Sequence, residues 1–143
     1  SPSRGLGDVY KRQNQDISGW DVSSVVYMNF LFESAHSFNQ NLSAWDVSSV
    51  LNMERMFEHA SSFNSNLSSW NVSNVELMGS MFNNAVSYSH NLSDWDVSNV
   101  NTMDPMFIST TFNQDLNSWD VSKVTSMYQM LRTDDVSGGQ FNQ

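Results

Sequence analysis

The chain has 143 residues, a formal net charge of −9 and no cysteine. The acid excess disfavours a phosphate-backbone partner, so nucleic acid is not expected, and the missing thiols exclude disulfide frameworks, thiolate metal sites and cysteine nucleophiles. Nine Met, nine Phe and five Trp help bring the hydrophobic share to 39%, too much for a disordered linker, yet no apolar run nears the roughly 20 residues of a membrane span.

Residues 1–13 stand apart from the rest of the chain. Phe38, Phe63, Tyr88 and Phe112 each lie seven residues before a tryptophan, whereas the matching place before Trp20 holds Gln13. From Asn14 onwards the register is complete. A loss of register at a single residue reads as a junction, and the segment resembles translated adapter sequence. The expected organisation is a non-native or disordered leader over 1–13 and a repeat array over 14–143.

The array is written in the tryptophans. Trp20, Trp45, Trp70, Trp95 and Trp119 are spaced by 25, 25, 25 and 24 residues. Around Trp45 the unit runs Leu42, Trp45, Val47, Val50, Met53, Met56, Phe57, Ala60 and Phe63. The next runs Leu67, Trp70, Val72, Val75, Met78, Met81, Phe82, Ala85 and Tyr88, and the next Leu92, Trp95, Val97, Val100, Met103, Met106, Phe107 and Phe112. A one-residue deletion between Phe107 and Phe112 accounts for the short spacing. Phe141-Asn142-Gln143 restates Phe38-Asn39-Gln40 after an insertion around Asp134 to Gln140, so the array is expected to be truncated at both ends.

Each unit has two halves of different period. Trp45 and Val47 alternate with Ala44, Asp46 and Ser48 as a short strand does, in the spacing of a leucine-rich repeat. Met53, Met56, Phe57 and Ala60 follow i, i+3, i+4, i+7, the stripe of an amphipathic helix. The expected fold class is an α/β solenoid: a leucine-rich-repeat-like, right-handed stack with one short parallel strand and one short helix or helical turn per 25-residue repeat. Trp20, Trp45, Trp70, Trp95 and Trp119, together with the Met and Phe columns just named, are its expected core, the tryptophans forming one aromatic column.

The run F-N-Q-x-L-S-x-W-D-V-S-x-V-x-x-M-x-x-M-F-x-x-A resembles the BspA-like leucine-rich-repeat surface proteins, in the subgroup noted as a repeat of mycoplasma lipoproteins. The resemblance covers residues 14–143. It implies a secreted or surface-anchored protein with adhesive relatives, and it implies no catalytic residues.

The most regular outward feature is the column Asp21, Asp46, Asn71, Asp96 and Asp120, flanked by Ser23, Ser48, Ser73, Ser98 and Ser122. These ten residues are the candidate binding surface. The four carboxylates, Asp21, Asp46, Asp96 and Asp120, are also a weak candidate calcium ladder, because stacked like charges are relieved by a bridging cation. The competing role is structural, each side chain accepting backbone N–H groups in its own turn, and Asn71 favours it by keeping the acceptor without the charge. The Met pairs match copper thioethers in type, but their place beside Phe and Ala reads as core. His36, His59 and His90 fall at three different repeat positions and form no cluster. The N-x-S sequons at Asn41, Asn66, Asn71 and Asn91 read mainly as part of the repeat. No hydrolase, metalloprotease or phosphate-loop motif is present, so no cofactor and no enzyme are expected. The expected function is an extracellular or cell-surface adhesion surface for a protein or glycan. The alternatives are a structural spacer, or recognition of a repetitive lattice such as polysaccharide or ice.

Overall fold

The computed structural model describes residues 14–131, so the expectations for the 1–13 leader and for the restart at Phe141 lie outside the described residues. Each unit is a succession of β-turns. In the second unit, backbone N–H groups donate three residues back at Trp45, Val50, Met56, Glu58, Ala60 and Phe63, with N···O distances of 3.0–3.2 Å. The third unit repeats all six, at Trp70, Val75, Met81, Asn83, Ala85 and Tyr88.

Among the described residues there is no helix, and extended pairing shrinks to one parallel bridge per junction: Tyr27 to Asn52, Asn52 to Leu77, Leu77 to Thr102 and Thr102 to Ser126. The leucine-rich-repeat-like α/β solenoid, with a strand at each Trp and a helix at each Met-x-x-Met-Phe, is therefore overturned. The bridge lies seven residues after the tryptophan rather than at it.

Both misreadings have a physical cause. A β-turn brings residues i and i+3 together, so Leu42 with Trp45 and Val47 with Val50 face inward while the turn tips at Ser43-Ala44 and Ser48-Ser49 face out. Trp45 and Val47 alternate with Asp46 because one turn ends where the next begins. Successive turns also reproduce the i, i+3, i+4, i+7 stripe: Met53, Met56, Phe57 and Ala60 are all fully buried. A helix is excluded there by left-handed residues. Arg55 (φ 55°) and His59 (φ 59°), like Phe30, Ser34, Ser80 and Asn84 in neighbouring units, carry positive φ, which costs a non-glycine residue roughly 1–2 kcal/mol.

The neighbouring unit offsets that cost. Every one of these left-handed residues donates its N–H to the next repeat: Arg55 to the Gly79 carbonyl at 2.9 Å, His59 to Asn83 at 2.8 Å, Ser80 to Asp104 at 2.8 Å, Asn84 to Ile108 at 2.8 Å. Met53 and Phe57 donate likewise to Leu77 and Met81. Along residues 53–60 alternate N–H groups therefore close a turn or cross to the next unit, and the backbone is satisfied without helix or sheet. The fourth unit holds Pro105 where the others hold Arg55 or Ser80, and proline can neither donate nor adopt positive φ.

The core is two columns of stacked rings. Phe32, Phe57, Phe82 and Phe107 lie 5.5–5.6 Å apart, and Phe38, Phe63, Tyr88 and Phe112 lie 5.9–6.5 Å apart. Within a unit the two columns meet at 3.9–4.3 Å. No ring contact joins one tryptophan to the next among the described residues. Trp45, Trp70, Trp95 and Trp119 are buried, each tilted against a Phe of the preceding unit at 6.0–6.5 Å. Their indole N–H groups donate to backbone carbonyls 27 or 28 residues earlier, at Ile17, Leu42, Leu67 and Leu92. Trp20, expected in the core, is 63% exposed, because no described unit lies before it.

Candidate binding surface

The Asp/Asn column starts as a turn device. Asp46 Oδ1 accepts the Ser48 N–H at 3.0 Å and the Ser48 hydroxyl at 2.6 Å. Asn71 does the same for Ser73 at 3.2 and 2.7 Å, and Asp21 for Ser23 at 3.1 and 2.7 Å. Asp96 and Asp120 accept from Ser98 and Ser122. These are Asx turns, in which the side-chain oxygen mimics the carbonyl that a backbone turn would use. The Ser hydroxyl and then the Ser N–H hold the carboxyls of Asp21, Asp46, Asp96 and Asp120 below the usual carboxylate range. The neighbouring carboxylate acts on Asp46 as the last of four influences, behind both bonds to Ser48, so the premise of a repelling ladder is weak. Among the described residues no group of three His, Cys, Asp or Glu is placed to hold a metal ion.

A second Asx column lies five residues earlier: Asp16, Asn41, Asn66, Asn91 and Asp115 accept from the N–H two residues on. Three of the four sequons, at Asn41, Asn66 and Asn91, belong to it, and the fourth is Asn71; all four asparagines are exposed. Serines and asparagines at the turn tips then tie units together. Ser49 Oγ, Asn74 Nδ2 and Asn99 Nδ2 donate to the carbonyls of Ser23, Ser48 and Ser73 in the preceding unit.

Beside this surface lies a polar groove of about 430 Å3, lined by Asn39, Gln40, Asn41, Asn64, Asn66 and His90 with two serines. Asparagine ladders build its floor. Asn14 Oδ1 accepts the Asn39 N–H, Asn39 Oδ1 the Asn64 N–H, and Asn64 Oδ1 the Ser89 N–H, at 2.9–3.2 Å. Gln40 and His90 hydrogen-bond the carbonyls of Asn14 and Asn64, and buried Ser65 accepts the Leu42 N–H. His36 and His59 are exposed away from the groove, so the three histidines remain apart. Asn39 and Asn64 went unassigned in the sequence because each looks like a generic loop residue, and Asn41 and Asn66 were read only as sequons; the signal was the recurrence of Asn14, Asn39 and Asn64 at 25-residue spacing.

The model of the DUF285 family, described as a mycoplasma protein of unknown function, matches residues 6–111 and again residues 68–143. The chain belongs to the DUF285 family. The first matched stretch begins inside the 1–13 segment that the tryptophan register sets apart. No curated protein and no solved structure matches the chain. No helix among the described residues is long and apolar enough to cross a membrane.

Proposed function

We propose that this DUF285 array is a non-catalytic binding surface, extracellular or at a cell surface, whose ligand is a neutral glycan held in the amide-lined groove. The observation that carries the proposal is the groove's lining: amide, hydroxyl and imidazole groups with no carboxylate among them, in a chain of net charge −9. Small, convergent hydrogen-bonding groups suit a polyhydroxylated ligand, whereas a cationic partner would be met by carboxylates. The likeness of the repeat to BspA-like surface proteins supports an adhesive role. The serine hydroxyls beside the Asp column are committed to their turns, which suits a scaffold better than a nucleophile. The same bonds explain the near-identity of that column from unit to unit without invoking a lattice.

The test is a glycan array and matrix-protein screen with the full chain, followed by Asn41→Asp and Asn66→Asp. Aspartate keeps the Asx acceptor, as Asp16 and Asp115 do in the same column, but removes two amide donors and adds charge. Glycan binding is expected to fall at least tenfold with an unchanged circular dichroism spectrum. Undiminished binding would sink the groove as the site, and a hit confined to proteins would replace the ligand class.

A further inference from the structure

One column of polar side chains runs through the groove and is broken at a single unit. Gln40, Ser65, His90 and Gln114 occupy the same place in successive units, each two residues after a ring of the Phe38, Phe63, Tyr88 and Phe112 column. The long members reach back to a main-chain carbonyl of the preceding unit. Gln40 Nε2 donates to Asn14 at 2.9 Å, His90 Nε2 to Asn64 at 2.9 Å and Gln114 Nε2 to Ser89 at 3.2 Å. A carbonyl oxygen only accepts, so the His90 ring carries a proton on Nε2.

Ser65 is the exception. It is buried, and its Oγ accepts the Leu42 N–H at 3.0 Å instead. The Asn39 carbonyl, the counterpart of those at Asn14, Asn64 and Ser89, receives no hydrogen bond from the described residues. Serine stops short of the carboxamide that glutamine carries, and the groove of about 430 Å3 lies at this gap, lined by Gln40 on one side and His90 on the other. The gap thus holds a carbonyl without its donor, and no described residue takes the Ser65 hydroxyl proton.

We infer that, within the glycan reading of the groove, the gap at Ser65 is a subsite for an acetamido group, which makes the ligand class a glycan built of N-acetylhexosamine units. The element missing from the column is a carboxamide, and an acetamido group is the amide that such sugars carry. Its N–H meets the Asn39 carbonyl as Gln40 meets Asn14. Its carbonyl accepts the Ser65 hydroxyl proton, which remains to be given because the bond to Leu42 uses Ser65 as acceptor. Both bonds are between neutral groups, in keeping with a lining that has no carboxylate. A plain sugar hydroxyl at the same ring position supplies a donor but leaves part of the gap without contacts.

Isothermal titration calorimetry of the full chain with a chito-oligosaccharide and with the cello-oligosaccharide of the same length tests this, because the two differ only in acetamido against hydroxyl. The chito-oligosaccharide is expected to bind about tenfold or more tightly, the worth of one or two net hydrogen bonds. Ser65→Gln completes the column by placing a carboxamide against Asn39, and it is expected to remove that preference with an unchanged circular dichroism spectrum. Should this variant fail to fold, having lost the acceptor for the Leu42 N–H, the comparison of the two sugars on the unaltered chain still decides. Equal affinity for the two sugars overturns the subsite, and so does a preference that survives in folded Ser65→Gln. If neither oligosaccharide binds while another neutral glycan does, and Asn41→Asp or Asn66→Asp weakens it, the subsite falls and the groove stands. If no glycan binds at all, both fall together.

Discussion

Residues 41–50 and residues 53–60 of the same unit are both chains of β-turns, yet different agents hold them. In the first arc, Asn41 and Asp46 cap their own turns, and contact with the preceding unit runs through the Trp45 indole and the Ser49 hydroxyl. In the second arc no Asx residue caps the left-handed positions at Arg55 and His59, whose N–H groups are met by carbonyls 24 residues later. The first arc is locally encoded. The second adds to its local turns at Met56, Glu58 and Ala60 the bonds that only a neighbour supplies, which makes it the more cooperative of the two.

The largest break of this contrast is Phe82→Ala. Phe82 is fully buried and stacked on Phe57, Tyr88 and Phe107, so truncation should cost about 3–5 kcal/mol, a large share of a small domain's roughly 5–15 kcal/mol. A urea melt followed by circular dichroism should show the transition lost or split in two. Retention of the wild-type midpoint would mean the ring columns are not the core.

Trp70→Phe probes the first arc. It removes the indole donor from the Leu42 carbonyl, a bond of 2.9 Å, and some buried volume. The expected loss is about 2 kcal/mol, read as a lower denaturation midpoint with an unchanged slope.

Ser80→Gly sharpens the contrast from the other side. Ser80 has a φ of 58°, so glycine relieves strain, and after its own entropy cost the expected gain is about 0.5–1 kcal/mol. Ser80→Pro should instead destabilise, since it forbids that φ and deletes the N–H to Asp104. If both substitutions destabilise equally, the left-handed backbone is not what limits stability there.

Tyr88→Phe should be neutral or stabilising by up to about 1 kcal/mol. Tyr88 occupies a column otherwise filled by Phe, its hydroxyl is buried without a partner, and burial pushes its ionisation well above the ordinary phenol value. A clear loss of stability in thermal unfolding would reveal a partner for that hydroxyl.

The smallest effect is acid sensitivity. Bonds from Ser48 lower the Asp46 carboxyl from its ordinary 3.8, so its contribution is fully present above that value. It is lost as pH falls through the lower folded value. Asp46→Asn, with the amide Asn71 already bears, should leave stability at neutral pH unchanged and flatten the acid limb slightly. An acid limb unaltered by replacing Asp21, Asp46, Asp96 and Asp120 together would show that the turns do not depend on charge.

The unit, its 25-residue period and its inward positions are legible in the residues alone, because burial demands apolar side chains wherever the chain faces its neighbour, whatever the backbone is doing. So is the Asx role of Asp46 and Asn71, since the acceptor and the N–H that it caps lie two residues apart. Local conformation along Met53 to Ala60 was not legible. A helix and a run of turns share the same apolar stripe, and Arg55 and His59 are poor signals for a left-handed backbone. The groove was equally hidden, as Asn39 and Asn64 acquire meaning only when stacking brings their amides onto each other's backbone. Packing between units settles those features because their hydrogen-bond partners lie a full repeat away, where no local propensity reaches.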